Sequence, residues 1–410
     1  MDITFSAIEQ AEALIGNKIV KTPVIASPIL SQLTGTAEIF IKLENQQYTG
    51  SFKDRGALNK LIRLTQKGKI TGVIAMSAGN HAQGVACYAQ KLNIPATIVM
   101  PEGTPFNKVE RTKTFGARVI LKGESIDQAA AYAHELAQKE DLVFIHPYDD
   151  PDIIIGQGTL GLEFMKSYSD LDILVVPIGG GGLISGVATV VKAINPKIKI
   201  IGVEATLFPS MHHKINNLPP SSGGQTIAEG IAVKSPGEWT IPIVKKYVEE
   251  ILLVDEAILE RAVEIMALNQ KMVTEGAGAA GLAAILAFPN IFKNKRVGLI
   301  ISGGNIDPRV LSQVLMRGML KDGRMVTLRI EINDQPGVLA KVSGLIGAQG
   351  GNIIEIHHQR MFSDLAVKLA DVDAVIETRN ITHINEIADS LRQAGFATRI
   401  LSSRSYDKTS

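Results

Sequence analysis

Four short strings in this 410-residue chain hold residues whose types and spacing could do chemistry. The first is Ser51-Phe52-Lys53-Asp54-Arg55-Gly56-Ala57. A lysine works as a covalent amine when desolvation or neighbouring cations lower its pKa towards neutrality, and Phe52 supplies apolar cover beside Lys53. Taken alone, a lysine beside Asp54 and Arg55 reads as a solvated surface residue, so this string by itself is not enough. The second string, Ser77-Ala78-Gly79-Asn80-His81-Ala82-Gln83-Gly84, follows a short apolar run and precedes a helical pattern. Small residues at a helix entrance expose backbone N–H groups to an anion, and the helix points its positive end at the same spot, so a carboxylate suits it. A plain strand-to-helix turn, with Asn80 bonding its own backbone, is the competing reading.

The third string, Gly179-Gly180-Gly181-Gly182-Leu183, lies between the apolar run Ile173–Val176 and a helix running towards Lys192. Four glycines remove every Cβ from a helix entrance, which lets main-chain donors hold a phosphate without a lysine. No Lys-Ser/Thr follows, which argues against a nucleoside-triphosphate loop. A flexible linker would have the same composition. The fourth, Ser302-Gly303-Gly304-Asn305, follows the run Val297–Ile301, and a hydroxyl there would sit at the sheet edge where ligands bind, or in an ordinary turn.

Other patterns carry less. Gly156, Gly158, Gly161 and Gly276, Gly278, Gly281 match G-x-G-x-x-G, which raises a nicotinamide oxidoreductase as a rival class. Neither triplet follows a glycine-terminated strand or precedes an acidic residue at the required distance, so close packing is expected of both. His212-His213 and His357-His358 are adjacent pairs, not i, i+4 ligands, and the lone Cys87 cannot build a metal site, so no metal is expected.

These strings need a scaffold. Short β-branched runs at 73–76, 97–100, 118–121, 142–145, 173–176 and 297–301 alternate with helical patterns, which is the signature of parallel α/β structure. Ser125, with Gln128 three residues on, predicts a capped helix through Lys139. After Asp322-Gly323 the pattern changes: Val326, Leu328, Ile330 and Ile332 alternate with polar residues, as in a strand with one buried face. A helix near 338–346, the Gly350-Gly351-Asn352 turn, strands near 353–361 and 365–375, a helix near 382–394 and a last strand follow. That order is βαββαβ, a ferredoxin-like unit. The expected domains are therefore 1–322, with a small subdomain at about 50–150 inserted in a larger one, then 323–403, then a polar tail 404–410.

Composition narrows the classes. The chain is 45% hydrophobic and 20% charged with a net charge of +1, so neither nucleic acid nor an anionic membrane is an expected partner. The single cysteine fits a reducing compartment, and the first residues lack the basic and apolar segments of a secretory signal, so a cytoplasmic location is expected.

Taken together and in this order, the four strings resemble the fold-type II pyridoxal-phosphate enzymes across the first 320 or so residues. The resemblance implies two parallel-sheet subdomains, pyridoxal 5'-phosphate as cofactor, and Lys53 as the lysine that forms the Schiff base, with Phe52 beside it. It implies that Asn80 contacts the ring hydroxyl, that Gly179, Gly180, Gly181 and Gly182 hold the phosphate, and that Ser302 meets the pyridine nitrogen. Ser77, Ala78, Gly79, Asn80 and His81 would bind the substrate carboxylate. Within the fold, the second string looks like threonine dehydratases, which implies elimination from L-threonine, with L-serine as a second substrate.

Related serine racemases carry a serine where this chain has Ala78. Asp54 gives Lys-Asp-Arg-Gly, which also resembles threonine synthases. Glu204 resembles the glutamate of a cation site in serine racemases, but Ser210 stands in place of the matching aspartate. Residues from about 325 to 403 resemble an ACT domain, which implies an amino-acid effector such as isoleucine or valine. Asp334, Gly337, Leu339 and Asn352 are the candidate effector residues. Members of the family are commonly tetramers, so a homo-oligomer is expected. A packing module without a ligand, and a non-catalytic amino-acid sensor, are the rival readings for the second domain and the whole chain.

Overall fold

The computed structural model describes residues 2–359 and 368–401. In chain order the strands are β1 (Val24–Ala26), β2 (Glu38–Leu43), β3 (Val73–Met76), β4 (Ala96–Met100), β5 (Arg118–Leu121), β6 (Val143–Phe144), β7 (Ile173–Pro177), β8 (Lys199–Ala205), β9 (Glu250–Val254), β10 (Arg296–Ile301), β11 (Met325–Asn333), β12 (Asn352–Gln359), β13 (Leu369–Glu377) and β14 (Ala397–Leu401). The chain forms two compact units that part between Asp307 and Pro308. This is earlier than the sequence boundary at 322/323, because the helix Pro308–Lys321 groups with β11.

In the first unit a six-stranded sheet runs β1-β2-β10-β7-β8-β9, parallel except for the edge strand β1. Every residue of β7 is buried, as expected of a strand covered on both faces. A four-stranded parallel sheet, β5-β4-β3-β6, is inserted between β2 and β7. Its last strand is only two residues long, shorter than the apolar run 142–145 suggested, because the chain turns away at Ile145 to build the site described below. The helix Ile126–Lys139 starts as its sequence predicts: Ser125 Oγ accepts from Gln128 N at 3.2 Å, and the Gln128 side chain reaches back to Glu124 N at 2.8 Å.

The glycine triplets are packing devices. A Cβ on Gly156 would lie 2.7 Å from Gly56 Cα, so the helix Pro151–Ser167 and the helix Lys53–Lys67 cross with backbone against backbone. A Cβ on Gly278 would lie 2.3 Å from the Gly303 carbonyl oxygen. These contacts bring the lysine helix and the loop after β10 to fixed positions.

A buried ion network reinforces the first of them. Arg55, fully buried, forks onto Glu44 at 2.7 and 2.8 Å and onto Glu163 at 2.8 Å through two nitrogens, and Lys42 reaches Glu163 at 2.6 Å. Burial by itself would lower the Arg55 pKa, but the two carboxylates outweigh it and the net shift is upward. Two cations and two anions cancel, so β2, the lysine helix and the helix Pro151–Ser167 are tied together without a stranded charge.

In the second unit β12-β13-β11-β14 form an antiparallel sheet with the helices Val338–Ala348 and Ile381–Gln393, giving βαββαβ. Val326, Leu328, Ile330 and Ile332 are all buried, against Val372 and Ala374 of β13 and Ile346, Ile387 and Leu391 of the helices. The expected strand ends at 360–361 and 365–367, and the tail 404–410, lie outside the described residues. No described helix is long and apolar enough to cross a membrane.

Candidate active site

Three of the four strings follow parallel strands of the first unit, and the other opens a helix. Ser77 follows β3, Gly179 lies just beyond β7, and Ser302 follows β10, so each stands at the carboxyl end of a parallel strand, where open α/β sheets bind ligands. Lys53 is the first residue of its helix. Its segment is stitched to the loop after β10: Phe52 N donates to the Ser302 carbonyl at 3.0 Å, Ser51 bridges Gly303, and Gly304 N donates to the Gly50 carbonyl at 2.9 Å.

The Lys53 side chain is half-buried, with Nζ 2.7 Å from the Pro147 carbonyl and 5.2 Å from the centre of the Phe52 ring. Desolvation lowers its pKa to about 8, against an opposing pull from Glu275. The surface-lysine reading of the first string therefore fails.

Asn80 opens the helix Asn80–Lys91 and has both ends of its amide engaged. Its Nδ2 donates to Glu275 Oε1 at 2.7 Å, and its Oδ1 accepts from Asn305 Nδ2 at 2.6 Å, which fixes the amide's orientation and leaves one Nδ2 hydrogen for another partner. Among the described residues the N–H groups of Ala78, Asn80 and His81 donate to no protein acceptor. Gly79 N donates to Ser77 Oγ at 3.1 Å. His81 is buried, and its Nε2 faces the Ile145 carbonyl at 2.9 Å and so carries the proton. Desolvation, helped by Lys53, lowers its pKa to about 3, so its ring is neutral at pH 7.

The tetraglycine stretch forms the entrance of the helix Gly182–Ile194, with Gly181 in the left-handed region at φ 94°. A Cβ on Gly180 would lie 2.1 Å from the Tyr148 ring, and one on Gly181 would lie 2.6 Å from Thr240 Oγ1, so side chains are barred there. The N–H groups of Gly179, Gly180 and Gly181 find no protein acceptor among the described residues, so the stretch is a built helix entrance with open main-chain donors and not a linker. Ser302 is 3% exposed and its hydroxyl has no protein partner there either. A phosphate-bearing ring with one hydroxyl and one ring nitrogen fits this set of donors.

Residues that the sequence reading missed complete the site. Glu275 immediately precedes the helix Gly276–Ala287 without bonding its N–H groups through the side chain, and burial raises its pKa to about 7. An acidic residue directly before a Gly/Ala helix start was the available signal. Asn305 donates to the Thr49 carbonyl at 2.7 Å as well as to Asn80. Pro147 and Tyr148 lie on the turn after β6, which no motif marked.

Asp54 is turned into the interior. It accepts from Thr49 N at 3.1 Å and from Tyr88 Oη at 3.3 Å, also meets Thr49 Oγ1, and is pushed up to about 6 by burial. Glu204 accepts from Met211 N and His212 N, both at 2.8 Å, and Ser210 Oγ lies 3.4 Å away, so a helix start meets both of its oxygens.

The second unit does not bring its four candidates into one place. Asp334 and Gly337 lie on the exposed turn after β11, where Asp334 N bonds the Lys368 carbonyl at 3.0 Å, with Leu339 on the helix that follows. Asn352 opens β12 and pairs with Glu377, which itself pairs with Met325 at the other end of β11. The intervening helix carries the chain along the sheet, so Asn352 sits at the opposite end.

Comparison with known proteins agrees with this arrangement. The family profile "Pyridoxal-phosphate dependent enzyme" matches residues 15–303, and the profile "ACT domain" matches residues 326–395. An L-threonine ammonia-lyase of Thermotoga maritima is 42% identical over 401 residues, covering 97% of this chain and all of the relative. Among solved structures, the processed form of threonine deaminase isoform 2 from Solanum lycopersicum superposes with a TM-score of 0.72 at 36% identity, over 76% of this chain and 87% of that one. Maize serine racemase superposes with the same TM-score at 34% identity, over 77% and 98%. The chain belongs to the pyridoxal-phosphate dependent enzymes and carries an ACT domain after its catalytic fold.

Proposed function

We propose that this chain is an L-threonine ammonia-lyase, converting L-threonine to 2-oxobutanoate and ammonia, and L-serine to pyruvate and ammonia. The observation that carries the reading is the placing of the Lys53 amine, 2.7 Å from the Pro147 carbonyl on the turn whose Tyr148 ring covers Gly180, with desolvation lowering its pKa to about 8. Gly179 to Gly182 would hold the cofactor phosphate, the spare Asn80 hydrogen would meet the ring hydroxyl, Ser302 would meet the ring nitrogen, and Lys53 would carry the covalent link. Pyridoxal phosphate, when bound, supplies the sink for the electron pair left when the α-proton is removed.

The protein's own part follows from the site. The free N–H groups at Ala78, Asn80 and His81 orient the substrate carboxylate. Lys53, free of its link, is the base that takes the α-proton on one face, and its lowered pKa makes the neutral form available near pH 8. Ser302 is a neutral hydroxyl and cannot hold a proton on the ring nitrogen as a carboxylate would, which favours loss of the β-hydroxyl over transamination. The released enamine takes up water to give the 2-oxo acid and ammonia.

Ala78 has no proton to offer on the opposite face, which weighs against racemisation. Asp54 is turned into the interior, so the Lys-Asp-Arg-Gly string says nothing about substrate and gives no support to a synthase. An assay of 2-oxo acid release from L-threonine and L-serine by the loaded enzyme tests the reading. Production of 2-oxobutanoate is expected, and no 2-oxo acid from either substrate would refute it. We extend the proposal to an isoleucine or valine effector at the ACT domain, to a homotetramer and to a cytoplasmic location. Calorimetry with each amino acid and sedimentation of the full chain test the first two: no binding heat, or a monomer, overturns them.

A further inference from the structure

Between β6 and the helix Pro151–Ser167 lies a turn that touches both halves of the site, and its residues belong to none of the four strings. His146 Nδ1 accepts from Asp149 N at 2.7 Å and from Tyr148 N at 3.3 Å. An imidazole nitrogen that receives two backbone N–H groups carries no proton, so His146 is neutral with its hydrogen on Nε2. Burial, which lowers its pKa, is consistent with that. The ring stands edge-on to Tyr148, with centroids 4.7 Å apart, and to Phe144 at 6.3 Å.

Everything the turn presents outward depends on this fold. The Pro147 carbonyl, inside the closed turn, receives Lys53 Nζ at 2.7 Å. The Tyr148 ring covers Gly180, and its hydroxyl donates to the Ser235 carbonyl at 2.9 Å. The Asp149 carboxylate accepts from Glu238 N and Trp239 N, both at 2.9 Å. That 235–240 loop in turn fixes the cradle, since Gly237 N donates to the Gly180 carbonyl at 3.1 Å and Thr240 Oγ1 donates to it at 2.7 Å.

We propose that His146 is a positioning residue: its Nδ1 folds the turn 146–149 so that the Pro147 carbonyl docks the free Lys53 amine while Tyr148 and Asp149 hold the tetraglycine cradle in register with it. One turn thus sets the spacing between the amine and the phosphate seat, which a single rigid cofactor must span. The proposal rests on reading Lys53 as the residue that carries the cofactor.

The test compares three apoproteins: wild type, His146→Asn and His146→Leu. The asparagine oxygen falls where Nδ1 stands and can accept both N–H groups, whereas leucine keeps bulk against Phe144 and Tyr148 but accepts nothing. The readout is the rate at which added pyridoxal phosphate attaches to Lys53, followed by absorbance, together with its dissociation constant. His146→Leu should attach the cofactor about tenfold more slowly, the order expected when two part-buried donors lose their acceptor, and His146→Asn should stay within about threefold of wild type. Attachment by the leucine variant at the wild-type rate, or equal impairment of both variants, overturns the proposal. If the leucine chain does not fold, His146→Gln, whose oxygen reaches past the Nδ1 position, replaces it with the same expected loss. Failure of wild type to attach the cofactor at Lys53 would instead refute the underlying site, so the two outcomes are distinct.

Discussion

The lowered pKa of Lys53 makes attachment of the cofactor to the apoprotein depend on pH in a specific way. Only the neutral amine attacks an aldehyde, so the rate should rise with pH through the midpoint of Lys53 and level off above it. An amine at its ordinary 10.5 is about 0.3% neutral at pH 8, whereas one at about 8 is about half neutral, a gain of about 150-fold in reactive amine. Desolvation lowers the midpoint and the Glu275 carboxylate opposes it, so Glu275→Gln should move the midpoint further down. Glu275 is itself pushed up to about 7, so the difference between the two proteins should grow above that pH and fade below it, where the carboxyl is protonated. Stopped-flow absorbance from about pH 6 to about pH 10 measures both curves. A wild-type midpoint near that of a free lysine, or an upward move with Glu275→Gln, would refute the reasoning.

Other consequences follow. Lys53→Ala should abolish 2-oxobutanoate release from L-threonine while the melting temperature stays within a few degrees; retained turnover would show that another group is the base. Ala78→Ser places a hydroxyl on the second face and should bring measurable D-serine from L-serine, read by chiral chromatography, and its absence would mean that position 78 does not face the substrate. Glu44→Gln breaks the buried network around Arg55 and should cost about 3–5 kcal/mol in denaturant unfolding, where a loss under about 1 kcal/mol would show that the network relaxes. Glu204 already accepts two backbone N–H groups and faces Ser210, so a chelator should leave turnover unchanged; marked loss, restored by a divalent cation, would contradict that.

Legibility in the sequence followed locality. The tetraglycine stretch was readable as a candidate because a strand, four residues without Cβ and a helix are contiguous, a combination that suits an anion seat better than a linker. The alternation at Val326, Leu328, Ile330 and Ile332 was readable for the same reason, since one strand's burial is written along it. Lys53 was ambiguous alone, because the Pro147 carbonyl that receives its amine and the Glu275 carboxylate that opposes its desolvation both lie far along the chain. Asn305 closed the fourth string and Glu275 stood before a Gly/Ala helix start, but their roles were not legible, since each meets Asn80 from about 200 residues away and no local pattern encodes that. Asp54 looked like a family marker, whereas the fold turns it inward to Thr49 and Tyr88. The two ends of the ACT-domain motif were close in sequence, but a helix returns the chain along the sheet between them.

The most direct test of the central claim is borohydride reduction of the loaded enzyme followed by peptide mapping. The added pyridoxyl mass should fall on the peptide containing Lys53 and on no other. An adduct at a different lysine, or none at all, would contradict the account.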